Sequence, residues 1–170
     1  MQHPPSDTIV FFGATGDLAF KQIFPALYGL VCDDALDIPI VGVARSSWSL
    51  EQFCAHARES LKAHGGYEDT TFARFARLLR FVGGDYADPA TFTKLRQQIP
   101  ASKNPLHYLA IPPALFVTVV AQLAASGLAE GARLIIEKPF GQDRASAATL
   151  NETLREHFPE SALFRIPLPR

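Results

Sequence analysis

Residues 8 to 30 read TIVFFGATGDLAFKQIFPALYGL, and the fold is decided there. Ile9, Val10, Phe11 and Phe12 form an apolar run of strand length. Gly13 and Gly16 follow where such a strand has to turn. Leu18, Ile23, Leu27 and Leu30 then recur at helical spacing, so a helix opens near Asp17. Glycine has a physical reason here: a side chain at Gly13 or Gly16 would hold a pyrophosphate away from the backbone N–H groups and the positive helix end that bind it. The spacing Gly13-Ala14-Thr15-Gly16-Asp17-Leu18-Ala19, with Ala19 as the small residue where helix and strand approach, is a variant of the dinucleotide-binding fingerprint. An ordinary tight strand-to-helix connection has the same outline, so the rest of the chain must decide.

Outward from this unit the two patterns alternate. Ile38 to Ala44 is a second apolar strand, and its tip reads Arg45-Ser46-Ser47 with no acid before Glu51. In a dinucleotide fold an acid at this tip accepts from a free ribose 2′-hydroxyl, whereas an arginine pairs with a 2′-phosphate, so the tip favours NADP over NAD. The alternative is a solvated arginine opening a loop. Ser49, with Glu51 and Gln52 behind it, caps a helix that runs to the His64-Gly65-Gly66 break. Residues 70 to 80 continue as helix, with Arg74, Arg77 and Arg80 on a solvated face rather than in a phosphate patch. Arg80 to Gly84 is a third strand ending in Asp85-Tyr86, and Asp88-Pro89 opens another helix. After a linker at 100 to 105, Leu106 to Ile111 is a fourth strand, followed by Pro112-Pro113 and a helix from Ala114 to Ser126 that Gly127 closes. Ala132 to Ile136 is a fifth strand that delivers Glu137-Lys138-Pro139-Phe140-Gly141, and a last helix covers Asp143 to His157.

Strands alternating with helices require right-handed crossovers. The expected fold is therefore α/β, a doubly wound, mostly parallel sheet of Rossmann type with helices on both faces. One domain spans 8 to 166, behind a disordered tail of residues 1 to 7 and ahead of a divergent tail at 167 to 170. Ligands of such sheets sit beyond the carboxyl ends of the strands, where Gly13 to Lys21, Arg45-Ser46, Asp85-Tyr86 and Glu137-Lys138 all fall.

Composition narrows the function. A chain of 170 residues with 48% hydrophobic content fills one core unaided. Sixteen basic against seventeen acidic residues, a formal net charge of −1, offer no electrostatic footprint for nucleic acid or an anionic membrane. Cys32 and Cys54 form no CxxC and have no paired histidine, which argues against a metal site or a disulfide framework and suits a reducing compartment. Residues 1 to 7, MQHPPSD, lack the blocks of a secretory signal, and no apolar run is long enough to span a bilayer. A cytoplasmic location is expected.

The motifs GATGDLAFKQIFPALYGL at 13 to 30, VGVARSS at 41 to 47, VGGDYAD at 82 to 88, HYLAIPP at 107 to 113 and RLIIEKPFG at 133 to 141 resemble glucose-6-phosphate dehydrogenase over residues 8 to 166. The resemblance implies oxidation of C1 of glucose 6-phosphate to the lactone with hydride passed to NADP, a step of the pentose phosphate pathway. By the same resemblance the turn Gly13, Ala14, Thr15, Gly16, Asp17, Leu18, Ala19 and Phe20 wraps the pyrophosphate, and Arg45 with Ser46 meets the 2′-phosphate. Asp85 falls at the same cleft. Tyr86 and Tyr108 line the cofactor, and Lys138 touches both cofactor and sugar. Phe20 and Gln22 replace basic residues of the family pattern, reducing charge on the substrate side. Phe164-Arg165-Ile166 matches the entry to the family segment (Y/F)-R-I-D-H-Y-L-G-K-E, but Pro167 departs from it, so the substrate-phosphate ligands and the histidine base are expected to be missing. None of His3, His56, His64, His107 and His157 takes the base role. The expected function is the NADP-binding domain of such an enzyme, inactive by itself. The alternatives are a non-catalytic module that binds NADP or docks on a partner, and a truncated reading frame. A homo-oligomer or a companion chain carrying the absent domain stays open.

Overall fold

A computed structural model of the chain describes residues 5–137 and 143–166. Six strands, β1 (Thr8–Phe12), β2 (Ile40–Ala44), β3 (Leu79–Gly83), β4 (Pro105–Leu109), β5 (Arg133–Glu137) and β6 (Leu163–Ile166), form one sheet in the order β3-β2-β1-β4-β5-β6. Every neighbouring pair is parallel. The order reverses between β1 and β4, which opens a crevice beyond their carboxyl ends. The first five strands lie within two residues of where the apolar runs place them. The sixth is an addition: Phe164-Arg165-Ile166 pairs with β5 through Phe164 opposite Ile135 and Ile166 opposite Glu137.

The helices α1 (Phe24–Cys32), α2 (Leu50–His64), α3 (Asp69–Leu78), α4 (Pro89–Gln98), α5 (Phe116–Ala125) and α6 (Arg144–His157) fill the crossovers. Their starts follow local chemistry. Ser49 and Gln52 close a reciprocal capping box on α2, and Asp143 with Ser146 does so on α6. Asp88 accepts from the Ala90 N–H at 2.9 Å ahead of Pro89.

The helix after the glycine turn begins at Asp17 and passes through one π turn, Ala19–Ile23, before α1. Pro25 explains it. Proline has no N–H and its ring clashes with the carbonyl four residues back, so a regular ladder cannot pass. The Phe24 N–H bonds the Ala19 carbonyl instead, and the stranded Phe20 carbonyl accepts from the fully buried Ser60 hydroxyl of α2. The segment next to the turn is thereby tied to the second helix.

Two apolar cores lie on the two faces. One joins Val10, Phe12, Val41, Val43, Leu109, Leu134, Ile136 and Leu163 to α4, α5 and α6 across the sheet. The other packs α1, α2 and α3 against Phe11, Ile40, Ala44 and Leu79, centred on Phe24, Phe53 and Phe75. The second core stops at β4. Leu106, Ile135, Phe164 and Ile166 share that face by register, yet none belongs to either core, and Phe164 is 44% exposed.

Ser6 and Asp7, at the inner end of residues 1 to 7, are hydrogen-bonded to the body of the fold. The Asp7 carboxylate accepts from the Ser102 hydroxyl at 2.6 Å and the Lys103 N–H at 2.7 Å, and Ser6 Oγ meets the Arg133 guanidinium at 2.9 Å. Residues 1–4 and 167–170 lie outside the described residues.

Candidate functional site

The two glycines of the first turn differ in what they permit. Gly13 has φ +83°, and a Cβ there would overlap the Ala110 carbonyl oxygen at the tip of β4. Gly13 thus answers to backbone conformation and close packing, whatever it also does for a ligand. Gly16 is exposed, and a Cβ on it would meet only the Gly13 carbonyl oxygen, at 3.3 Å. It is Gly16 that leaves room for a ligand.

The backbone groups divide in the same way. The Gly13 N–H donates to the Val43 carbonyl at 2.9 Å and to the Tyr86 hydroxyl at 3.0 Å, and the Ala14 N–H donates to Val43 at 3.2 Å. The N–H groups of Thr15, Asp17 and Leu18 have no acceptor among the described residues. Unpaired donors at the start of a helix are what an anionic phosphate satisfies. Ala14 and Ala19 are buried, Leu18 packs on the same core, and the Phe20 ring lies 5.0 Å from that of His56. Ala14 and Ala19 thus offer a ligand only their backbone, while Leu18 and Phe20 are half-buried.

A cleft of about 460 Å³ lies over the turn, walled by Thr15, Gly16, Arg45, Ser46, Tyr86 and the Ala110–Pro112 stretch. Thr15 Oγ1 and Ser46 Oγ stand 3.1 Å apart and join its two lips. Arg45 is exposed on the rim and makes no ion pair among the described residues, which leaves its charge available. Tyr86 is 4% exposed, and its hydroxyl also donates to the Val43 carbonyl at 3.3 Å. Burial pushes this phenol above its ordinary range, against the opposing pull of the Gly13 N–H and the Arg45 charge.

Asp85 is exposed and outside the cleft walls. Its carboxylate accepts from the Ala87 N–H at 2.8 Å and shapes the loop that carries Tyr86. Tyr108 lies on β4, two residues before the Ala110–Pro112 wall of the cleft, and donates to the Glu137 carboxylate, which is 7% exposed. Burial first, and then Glu137, push the Tyr108 phenol up and keep it a donor. Glu137 stands among the polar clusters expected at the strand tips but with no role assigned to it, and Ala110, Ile111 and Leu115 are additions to the expected site. The signal for Glu137 was its place at a strand tip beside Lys138; nothing in the sequence pairs it with Tyr108. Lys138 lies outside the described residues.

A second hollow of about 350 Å³, between the end of α1 and α3, holds Asp34, Asp37, Arg74 and Arg77. Arg74 is engaged there, on Asp34 at 3.0 Å and on the Val31 carbonyl at 2.6 Å. This hollow is at the entry end of β2, away from the crevice. No cluster of metal-ligating residues is found among the described residues. No helix among them is long and apolar enough to cross a membrane.

A parallel sheet in this order, with a glycine turn feeding a helix at the switch point, defines a doubly wound dinucleotide-binding domain. A family model described as glucose-6-phosphate dehydrogenase, NAD binding domain, matches residues 10–167, and the chain belongs to that family. It is 44% identical over 161 residues to glucose-6-phosphate 1-dehydrogenase 1 of Mycobacterium tuberculosis, covering 95% of this chain and 34% of that protein. The enzyme of Saccharomyces cerevisiae is 38% identical over 93% of this chain and 34% of its own length. The crystal structure of glucose-6-phosphate 1-dehydrogenase from Mycobacterium avium superposes with a TM-score of 0.89 at 43% identity, over 95% of this chain and 36% of that one. A glucose-6-phosphate dehydrogenase in complex with its substrate glucose-6-phosphate superposes at 0.84 with 33% identity, over 98% and 37%. The chain thus spans about a third of the length of these relatives, at 34% of the M. tuberculosis protein.

Proposed function

We propose that this chain binds NADP in the cleft over the β1, β2 and β4 tips, as the coenzyme domain of a glucose-6-phosphate 1-dehydrogenase that oxidises glucose 6-phosphate to its lactone in the pentose phosphate pathway. One observation carries the reading: Thr15 and Gly16 wall a cleft with Arg45 on its rim, at the start of a helix where the N–H groups of Thr15, Asp17 and Leu18 have no acceptor among the described residues. The donors suit the pyrophosphate, with Gly13 and Gly16 shaping the turn and Ala14, Ala19 and Phe20 anchoring it. Arg45, with Ser46 and Thr15 beside it, suits the 2′-phosphate through charge-assisted bonds. Tyr108, held by Glu137, and Lys138 belong to the nicotinamide half, and Asp85 acts through its loop. The bound cofactor supplies the hydride acceptor; the residues named here hold and orient it. The domain runs from 8 to 166 in this reading, and two unpaired thiols, Cys32 and Cys54, support a cytoplasmic setting. A second reading, a module that docks on a partner, is favoured by the β4–β6 face, which neither core reaches and where Phe164 is exposed. Restored turnover on mixing with a separate substrate domain distinguishes an enzyme half from a binder.

Calorimetric titration of NADP and NAD tests the site. Arg45→Ala is expected to weaken NADP by on the order of 2 kcal/mol, roughly 30-fold, and to leave NAD within about twofold. Equal affinity of the native chain for both dinucleotides would remove the role given to Arg45.

A further inference from the structure

We propose that Tyr86 is a positioning residue for the dinucleotide: its hydroxyl sets the direction in which the turn after β1 aims its N–H groups. The proposal rests on the cofactor reading above and deepens it. The expected role for Tyr86, an aromatic wall for the ligand, leaves its hydroxyl unexplained. That hydroxyl accepts from Gly13 at 3.0 Å and donates to Val43 at 3.3 Å, so it is held from both sides at the tips of β1 and β2.

Gly13 is the pivot of the turn. Its φ of +83° sets the chain's exit from the sheet, and every donor offered to the cleft follows it. Without the phenol, Gly13 keeps one bond, to the Val43 carbonyl, which is shared with Ala14. With it, the pivot is fixed by two acceptors on different strands' tips, one of them 73 residues away in sequence. The loop bearing Tyr86 is itself braced. The Gly84 N–H bonds the Ala44 carbonyl at 2.9 Å, the Thr91 hydroxyl bonds the Asp85 carbonyl at 2.7 Å, and the Gln122 amide bonds the Ala87 carbonyl at 2.9 Å. A braced phenol against a pivoting glycine is a device for orientation, because small rotations at Gly13 would misaim all three unpaired donors at once.

Calorimetry on the full chain with three probes separates this role from the neighbouring ones. NADP and NAD both carry a pyrophosphate; adenosine 2′-monophosphate carries only the phosphate that Arg45 would hold. Tyr86→Phe, measured where circular dichroism shows native and variant chains equally folded, is expected to weaken NADP and NAD by the same factor, about fivefold for one neutral hydrogen bond. Binding of adenosine 2′-monophosphate should not change. Arg45→Ala should give the opposite split, losing NADP and adenosine 2′-monophosphate while sparing NAD. Unchanged dinucleotide affinities in Tyr86→Phe, or equal losses for all three probes, overturn the proposal. A native chain that binds none of them sinks the cofactor reading itself, which is a different result from a native chain that binds while Tyr86→Phe is indifferent. Should Tyr86→Phe not fold, Thr91→Val loosens the same loop from its far end. The same split, in smaller measure, is then expected, and its absence overturns the proposal.

Discussion

Gly13→Ala is expected to destabilise the chain by on the order of 3 to 5 kcal/mol, whereas Gly16→Ala, in the same turn, should cost less than about 1 kcal/mol. At Gly13 two penalties add. The backbone stands at φ +83°, where an L side chain is strained, and the new methyl would overlap the Ala110 carbonyl oxygen, which the β1–β4 pairing holds in place. Against a typical domain stability of about 5 to 15 kcal/mol such a loss takes a large share. At Gly16 the methyl meets only the Gly13 carbonyl oxygen at 3.3 Å, and a slight shift accommodates it. In the proposed site its effect should appear in binding, because the methyl would stand where the cofactor phosphate is proposed to meet the turn's N–H groups. Urea unfolding and dinucleotide titration of both variants make the check. Similar unfolding midpoints for the two would refute the division of labour between the glycines.

Acid should destabilise the fold well above the carboxylate range, through His107. Its ring is fully buried, Nε2 donates to the Leu128 carbonyl at 2.8 Å, and Nδ1 has no partner among the described residues. Burial, only partly opposed by Leu128, lowers its pKa from 6.5 to about 4. Between those values the unfolded chain takes up a proton that the folded chain refuses, so stability falls as pH drops. The difference amounts to roughly 3 kcal/mol across the whole window and about 2 kcal/mol by pH 5. His56, also pushed down by burial, adds in the same direction. Urea midpoints at pH 7 and pH 5 should therefore differ in the native chain and differ much less in His107→Leu. A pH-independent native midpoint over that range would contradict the buried neutral imidazole.

Much of this architecture is legible because its signals are local. The apolar runs at Ile9 to Phe12 and Ile38 to Ala44, the capping residues Ser49, Asp88 and Asp143, and Gly127 each act within a few residues, so β1 to β5 and the helices could be placed. Arg45 and the glycine turn could be set in one crevice because strand tips of a parallel sheet share an end. What escaped depends on contacts between distant parts. The β6 strand is four residues long with an exposed Phe164, and only pairing with β5 makes it a strand. The separate duties of Gly13 and Gly16 become visible only when Ala110 lies over the first of them. The bond from Gly13 to the Tyr86 hydroxyl and that from Tyr108 to Glu137 link residues with no periodic relation. The π turn was written in Pro25, but its consequence, a Ser60 hydroxyl answering a stranded carbonyl, needed α2 in place.

The half-clad side of the sheet has a thermal consequence. Water over Leu106, Ile135, Phe164 and Ile166 is ordered at an entropic expense that rises in importance from cold to ambient temperature. In solutions of the 170-residue chain, light scattering should therefore increase on gentle warming, well below unfolding, and fall again in the cold. Phe164→Lys, which sets a charge on the edge strand, should flatten that response.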